Sequence, residues 1–393
     1  MRIGIDCLET KSNLAGGQLT YILGLLDGLY NLKEKDVKFV LFCSSENKHV
    51  FEPIVNKYKF SLIEVKGYNT RLRAFWVLIP LILNSKYLWR VFINSYSKIF
   101  KINKNIEDNC DLLYVFTTTL NSYNLSVPTV LSMHDIQHVH FPHFFSWLRR
   151  RVRTLRFENS ALVATKIQAS SNFIKEDLYE FFKFLKPNVI SVIEEGVDLK
   201  DFTHSTKIEI QKKYNLPEKF LFFPAALWKH KNHILVLKAL KLIEEKKKIK
   251  IPLILTGSKQ SAYPDIIKFI KENDMEYVRY LGQISWEEII SLYQNAYLFI
   301  TAVLYESSSL PIIEAAAAGL PIIASNTPPN IEMSKFLKMN LFDPYDVNEL
   351  EKILFSCWND NEFQKQSKSN KVNVKYYSWN RIAEKYMHVF KQL

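Results

Sequence analysis

From Lys219 onward, continuous apolar runs of strand length alternate with amphipathic runs of helix length, joined by short connections. The series reads FLFFPAA, the helical HILVLKALKLIEEKKK, PLILTG, a helix around Ile266 to Glu272, VRYLGQ, SWEEIISLYQNA, YLFITA, a short helix at Glu314 and PIIAS. A strand with one wet face alternates apolar and polar residues; these runs do not, so both faces must be covered. The pattern predicts a parallel sheet with helices on both sides. Ligands of such sheets sit beyond the carboxyl ends of the strands, where Gly257, Gly282 and Glu306 fall. No G-x-G-x-x-G is present, which disfavours a nicotinamide or flavin oxidoreductase.

The first half repeats the theme less regularly. RIGIDCL, KFVLFC, FSLIEV, DLLYVF, TVLSMHD, KIQAS and VISVI are strand candidates, with a helix expected from about Gln18 to Tyr30. A chain of 393 residues accommodates two domains of ordinary size. A boundary near Phe202 to Lys213 gives domains of 1–205 and 206–376 and a final helix over 377–393. Cys7, Cys43, Cys110 and Cys357 have neither metal-ligand nor redox spacing, and Cys7 and Cys43 fall on strands as small buried apolar residues. This points to a reducing compartment. MRIGIDCLET reads as a strand rather than a signal peptide, and the longest apolar run, Phe75 to Leu83, is broken by Pro80 and too short to span a bilayer. The expected location is cytoplasmic, with contact at the inner face of the membrane left open.

The chemistry concentrates in Tyr305 to Ser325, YESSSLPIIEAAAAGLPIIAS. Ser309 is expected to cap a short helix, with Leu310 and Pro311 in its first turn and Gly319 ending it in a left-handed conformation. The N-terminus of a helix offers unpaired N–H groups and a positive dipole end to a phosphate. Glu306 and Glu314, on either side, are placed to accept hydrogen bonds from sugar hydroxyls. The combination describes a nucleotide-sugar site; Glu314 alone is equally the acidic first turn of an ordinary helix.

Other groups fall on the same edges. Lys229 and Lys231, in FPAALWKHKNH, follow a strand and open a helix, as phosphate ligands or as a solvated basic turn. Gly16 and Gly17 precede the first long helix and permit close backbone approach. Gln283 and Gly257 follow strands. MHDIQHVHFPHFF supplies His134, His138, His140 and His143, with His134 either a functional group or a histidine satisfied at a strand end. His230 and His233 lack carboxylate or cysteine companions for a metal.

Tyr305 to Ser325 resembles the E-x7-E signature of retaining family 4 glycosyltransferases of GT-B fold, E-G-F-G-L-P-x-x-E-A. Glu306, Leu310, Pro311, Glu314, Ala315, Gly319, Pro321 and Ser325 match, and Ser307, Ser308 and Ser309 replace Gly-Phe-Gly. FPAALWKHKNH is similar to a branch with P-A-x-x-W-x-H-K-N-H, Ala226 standing where other members have Arg. EEGVDLKDF resembles the interdomain N-G-V-D-x-x-x-F, with Glu195 for Asn, and YYSWNRIAEKYMHVF resembles the terminal helix that crosses back to the first domain.

The resemblance implies two Rossmann-like α/β/α domains facing each other across a cleft, the first binding acceptor and the second binding donor. It implies a hexose, mannose by branch, carried from a nucleotide diphosphate sugar to a glycan or lipid-linked glycan, without a metal. Lys231 would meet the diphosphate, Glu306 the donor sugar hydroxyls, Glu314 the ribose and His134 the sugar near its reacting carbon. A glycosyltransferase-shaped binding subunit without catalysis is the rival reading, motivated by the Ser307 to Ser309 loop and Ala226.

Net charge of +12 favours anionic partners, and no basic-aromatic nucleic-acid module accompanies it. Arg71 to Lys104 mixes aromatics with basic residues, and Arg149, Arg150, Arg151, Arg153 and Arg156 follow Trp147. Two readings stand: contact with an anionic membrane, or a long helix over the first sheet.

Overall fold

The computed structural model describes residues 1–10, 17–203, 210–360, 363, 365 and 368–393; Gly16 lies outside them. The chain forms two compact units, Met1–Glu195 with Trp379–Leu393, and Gly196–Ser378.

The first unit is built on seven parallel strands: β1 (Arg2–Asp6), β2 (Lys38–Cys43), β3 (Ser61–Glu64), β4 (Leu112–Val115), β5 (Thr129–Ser132), β6 (Lys166–Ala169) and β7 (Ile190–Val192). Their order is β3-β2-β1-β4-β5-β6-β7. The second unit has six: β8 (Leu221–Pro224), β9 (Leu253–Thr256), β10 (Val278–Tyr280), β11 (Leu298–Thr301), β12 (Ile322–Ser325) and β13 (Asn340–Phe342). These run β10-β9-β8-β11-β12-β13, again all parallel. Each sheet therefore reverses its winding once, between β1 and β4 and between β8 and β11. Such switch points open a crevice at the carboxyl edge. The uninterrupted apolar strands are buried throughout: every residue of β4, β5, β9, β11 and β12 is buried.

The second unit begins at Gly196, upstream of the Phe202 to Lys213 boundary expected from sequence. Val197 donates its N–H to Tyr377 O at 2.8 Å, and Phe202 packs edge-on against Trp286 and Tyr293. Side-chain packing decides which core this segment joins. The stretch from Arg71 to Lys104 is likewise not one long helix. Val77 and Asn84 interrupt it, Asn84 in the left-handed conformation, leaving helices Thr70–Trp76, Leu78–Leu83 and Lys86–Ile99.

Helix Trp379–Lys391 completes the core of the first unit, where Trp379, Ile382, Tyr386 and Phe390 are buried against helix Gly17–Asn31. Two glycines permit this approach. A Cβ on Gly24 would lie 2.0 Å from the Trp379 indole nitrogen, and one on Gly28 would lie 2.5 Å from the Trp379 carbonyl oxygen. The second obstacle is backbone, which no rotamer relieves. Gly28→Ala should therefore cost about 2–3 kcal/mol, as overpacked cores do. A lower urea midpoint and faster hydrogen exchange over Trp379–Lys391 would show it; an unchanged midpoint would mean that the helices separate without penalty.

Candidate active site

At the switch point of the second sheet, the turns after β8 and β11 meet. The 3-10 turn Lys229–Lys231 follows β8, and the His230 carbonyl accepts from Leu304 N at 2.8 Å in the segment after β11. That bond sets Lys231 beside Glu306, and the two side chains form an ion pair, 17% and 12% exposed. Glu306 Oε2 is buried with no hydrogen-bond partner. One carboxylate oxygen thus neutralises the lysine while the other is unsatisfied in a low-dielectric surrounding, which is costly unless a ligand completes it.

Helix Leu310–Ala318 starts directly after this pair. Pro311 is in its first turn and Gly319 ends it at φ +77°, as the sequence implies. Ser309 occupies the N-cap position but does not cap: its Oγ makes no bond to the first turn and is buried without a partner. The expected Ser cap needs the side chain to fold back over the N–H groups; at φ −118° and ψ 89° it points elsewhere. Ile312 N and Ile313 N donate to the Ser309 carbonyl at 3.0 and 3.2 Å and Pro311 has no N–H, so Leu310 N–H and the positive end of the helix are what this turn offers an anion. Pro311 and Leu310 are half-buried there.

Glu314, one turn into the helix, accepts from the Tyr293 hydroxyl at 2.7 Å. Burial pushes its carboxyl up to about 7, against the lowering effect of that bond and with a small contribution from Asp201. Gly257, at the end of β9, has φ +127°, and a Cβ there would strike Ala225 O at 2.5 Å. Its N–H donates to Gly282 O at 2.8 Å, and Gln283 beside it is exposed. Lys229 is exposed, one residue from His230 and two from the paired Lys231. His233 stacks on Phe223 in the core, and burial followed by the Lys231 charge pulls it down to about 3.

In the first unit, the four loop histidines take different partners rather than converging. His134 Nε2 donates to Phe116 O at 2.9 Å, because a carbonyl only accepts, and its ring meets Tyr21 edge-on. Burial lowers the His134 pKa, opposed by the Phe116 bond. Its other ring nitrogen, Nδ1, faces Glu195 Oε1 at 3.9 Å. His138 packs against Phe157, His140 binds Asp177 Oδ1 at 2.7 Å, and His143 edges onto Phe144. Asp135 holds the loop through Gln137 N and Arg153 and does not touch His134. Gly17 begins helix Gly17–Asn31.

The sequence reading missed a cluster at the switch point between β1 and β4. Glu9, just past β1, accepts from Arg73, from Tyr68 at 3.2 Å and from Arg156 at 2.6 Å. Arg73 also donates to Asn121, whose amide donates to Asp6 at 2.9 Å. Burial raises the Glu9 carboxyl, but the two guanidiniums, Arg156 and then Arg73, overcome it and hold it at about 2. Asp6, lacking a direct cation, is pushed up by burial to about 6, with the Leu8 N–H and Asn121 opposing. The available signal was positional: a carboxylate two to three residues beyond a parallel strand lies on the edge where ligands gather.

Two parallel-sheet α/β units with these edges define a fold that known proteins share. Residues 205–374 match the family model for glycosyl transferases group 1, and the architecture is that of GT-B glycosyltransferases. HepE of Anabaena, solved in complex with UDP and glucose, superposes over 100% of both chains with a TM-score of 0.75 at 16% identity. The O-antigen chain mannosyltransferase B of Escherichia coli is 22% identical over 268 residues, 67% of this chain and 70% of that protein. The serotype-specific mannosyltransferase WbdA of Escherichia coli is 22% identical over 72% of this chain, which spans 37% of WbdA's length.

Proposed function

We propose that the chain is a retaining, metal-independent glycosyltransferase that moves a hexose from a nucleotide diphosphate sugar to a glycan or lipid-linked glycan at the cytoplasmic face of a membrane. Mannose is the preferred hexose, by similarity to the two mannosyltransferases. The second unit takes the donor and the first the acceptor. The observation that carries this is the pair of unmet polar groups at one switch point, Glu306 Oε2 and Ser309 Oγ, at the start of helix Leu310–Ala318.

The donor diphosphate replaces Glu306 as the partner of Lys231, and the helix start takes a phosphate oxygen. Lysine is a compact charge suited to a departing diphosphate. Released from Lys231, Glu306 accepts from sugar hydroxyls, and Glu314 accepts from the ribose. His134, held at Nε2 by the Phe116 carbonyl, turns Nδ1 toward a sugar hydroxyl. The anomeric carbon–oxygen bond to the diphosphate breaks while the acceptor hydroxyl attacks the same face. Its proton passes to the leaving phosphate oxygen, so no separate carboxylate base is required.

The test is thermal stabilisation by a panel of GDP- and UDP-sugars, with and without chelator, at two pH values. At about a hundred times its Kd, the true donor adds about 2.7 kcal/mol. Glu314, raised by burial to about 7, is the stronger acceptor for ribose when ionised. Donor affinity therefore rises with pH, by about tenfold from pH 6 to pH 8, and Glu314→Gln flattens the dependence. A chelator-sensitive response would remove the metal-free mechanism. No response to any donor would leave the binding-subunit reading.

A further inference from the structure

The chain's charge is distributed very unevenly. Residues 70–106 hold seven Lys or Arg and no Asp or Glu, and residues 136–157 hold five Arg and again no acid. Seven and five make twelve, which is the whole net charge; the remaining 40 basic and 40 acidic residues cancel. In sequence the two segments are thirty residues apart, and in the first unit they are joined. Arg151 on helix Trp147–Val163 donates to Ile82 O at 2.9 Å, and Lys86 pairs with Glu158.

The same segments carry exposed apolar side chains. Phe75 and Ile82 are each 71% exposed, Tyr87 67% and Trp147 65%, with Ile79 and Leu83 also exposed. These are not frayed positions, because the opposite faces of the same helices are packed. Val77, Pro80 and Leu81 are buried, and so are Trp89, Ile93 and Tyr96, with Trp89 Nε1 donating to Tyr123. A helix that has filled its inner face and still presents large apolar residues outward has a second apolar environment to meet.

We infer that this surface docks on an anionic lipid bilayer. Leu78–Leu83 and Trp147 enter the headgroup region, and Arg71, Arg90, Arg149 and Arg150 lie against the lipid charge. Bilayers supply both halves of the match, an apolar interior beneath an acidic surface, and aromatic residues such as Tyr87 and Trp147 favour that boundary. A second copy of the chain is opposed by the like charge of two such faces. Among the described residues no helix is long and apolar enough to cross a membrane, so the contact is peripheral. The inference deepens the reading of a lipid-linked acceptor and rests on it for its purpose, but not for its surface.

Flotation of the purified full chain with vesicles tests it, using phosphatidylcholine alone and phosphatidylcholine mixed with phosphatidylglycerol. Binding to the anionic vesicles should exceed binding to the neutral ones by more than tenfold and fall with added salt, since each basic residue at such a surface contributes about fivefold. Ile82→Ser with Leu83→Ser, both exposed and so tolerated by the fold, should weaken binding by about tenfold. Equal binding to both vesicles, or an unaffected double variant, overturns the inference. So does a dimer that the double variant dissociates, which would assign the face to a second copy. Donor-induced stabilisation, read on the same sample, fails separately: its loss with vesicle binding retained removes the transferase reading and leaves the membrane surface standing.

Discussion

Lys231→Ala should abolish most transfer, lowering kcat by about 10²–10³-fold, the usual effect of deleting one group that meets charge developing in the transition state. The same substitution strips the Glu306 carboxylate of its lysine partner. Glu306 already has one buried oxygen without a partner, so an uncompensated charge appears in the second unit. A broken buried pair costs about 3 kcal/mol, and both side chains are less than a fifth exposed. Stability and catalysis can therefore be confused in this single variant. Lys231→Ala combined with Glu306→Ala separates them, because removing both charges restores the melting temperature without restoring transfer. If the single variant lost stability but kept its rate, the pair would be a structural clamp and the leaving-group role of Lys231 would fall.

Glu9→Ala should be the most damaging single change in the first unit. It leaves the Arg73 and Arg156 guanidiniums facing each other without their shared carboxylate, Arg73 with only 7% of its side chain exposed. The pH behaviour gives an independent magnitude. In the folded chain Glu9 titrates at about 2 against an ordinary 4.5. A depressed carboxylate contributes stability that is present above 4.5 and is lost as pH falls toward 2. At 1.36 kcal/mol per pKa unit this amounts to about 3 kcal/mol, close to the cost of breaking a buried ion pair. Urea midpoints at pH 7 should fall accordingly in Glu9→Ala, and the variant should lose less stability than the parent between pH 4.5 and pH 2. Parallel acid profiles for the two would show that the cluster contributes little.

The nature of these two sites explains which parts of the chain can be read from its sequence. Apolar runs such as LILT and LFIT declare buried parallel strands because burial on both faces removes every polar alternation. Pro311 and Gly319 declare the ends of a helix because their backbone preferences are intrinsic. Such properties depend on a few neighbouring residues, and so the α/β class and the ends of this helix were legible. The capping role of Ser309 was not, since a hydroxyl chooses between its own helix and whatever approaches it.

What only the tertiary structure decided are the pairings across strand order. Lys231 and Glu306 are 75 residues apart and meet because β8 lies beside β11. Glu9, Arg73 and Arg156 meet because β1 lies beside β4, with two helices bringing the guanidiniums over that edge. Two basic segments became one surface through the Arg151–Ile82 bond and the Lys86–Glu158 pair between helices. Local periodicity states that a strand is buried, but not which strand it is buried beside. Charge partners follow from the second fact: ion pairing acts over a few ångströms in space, whereas sequence pattern reports only separation along the chain.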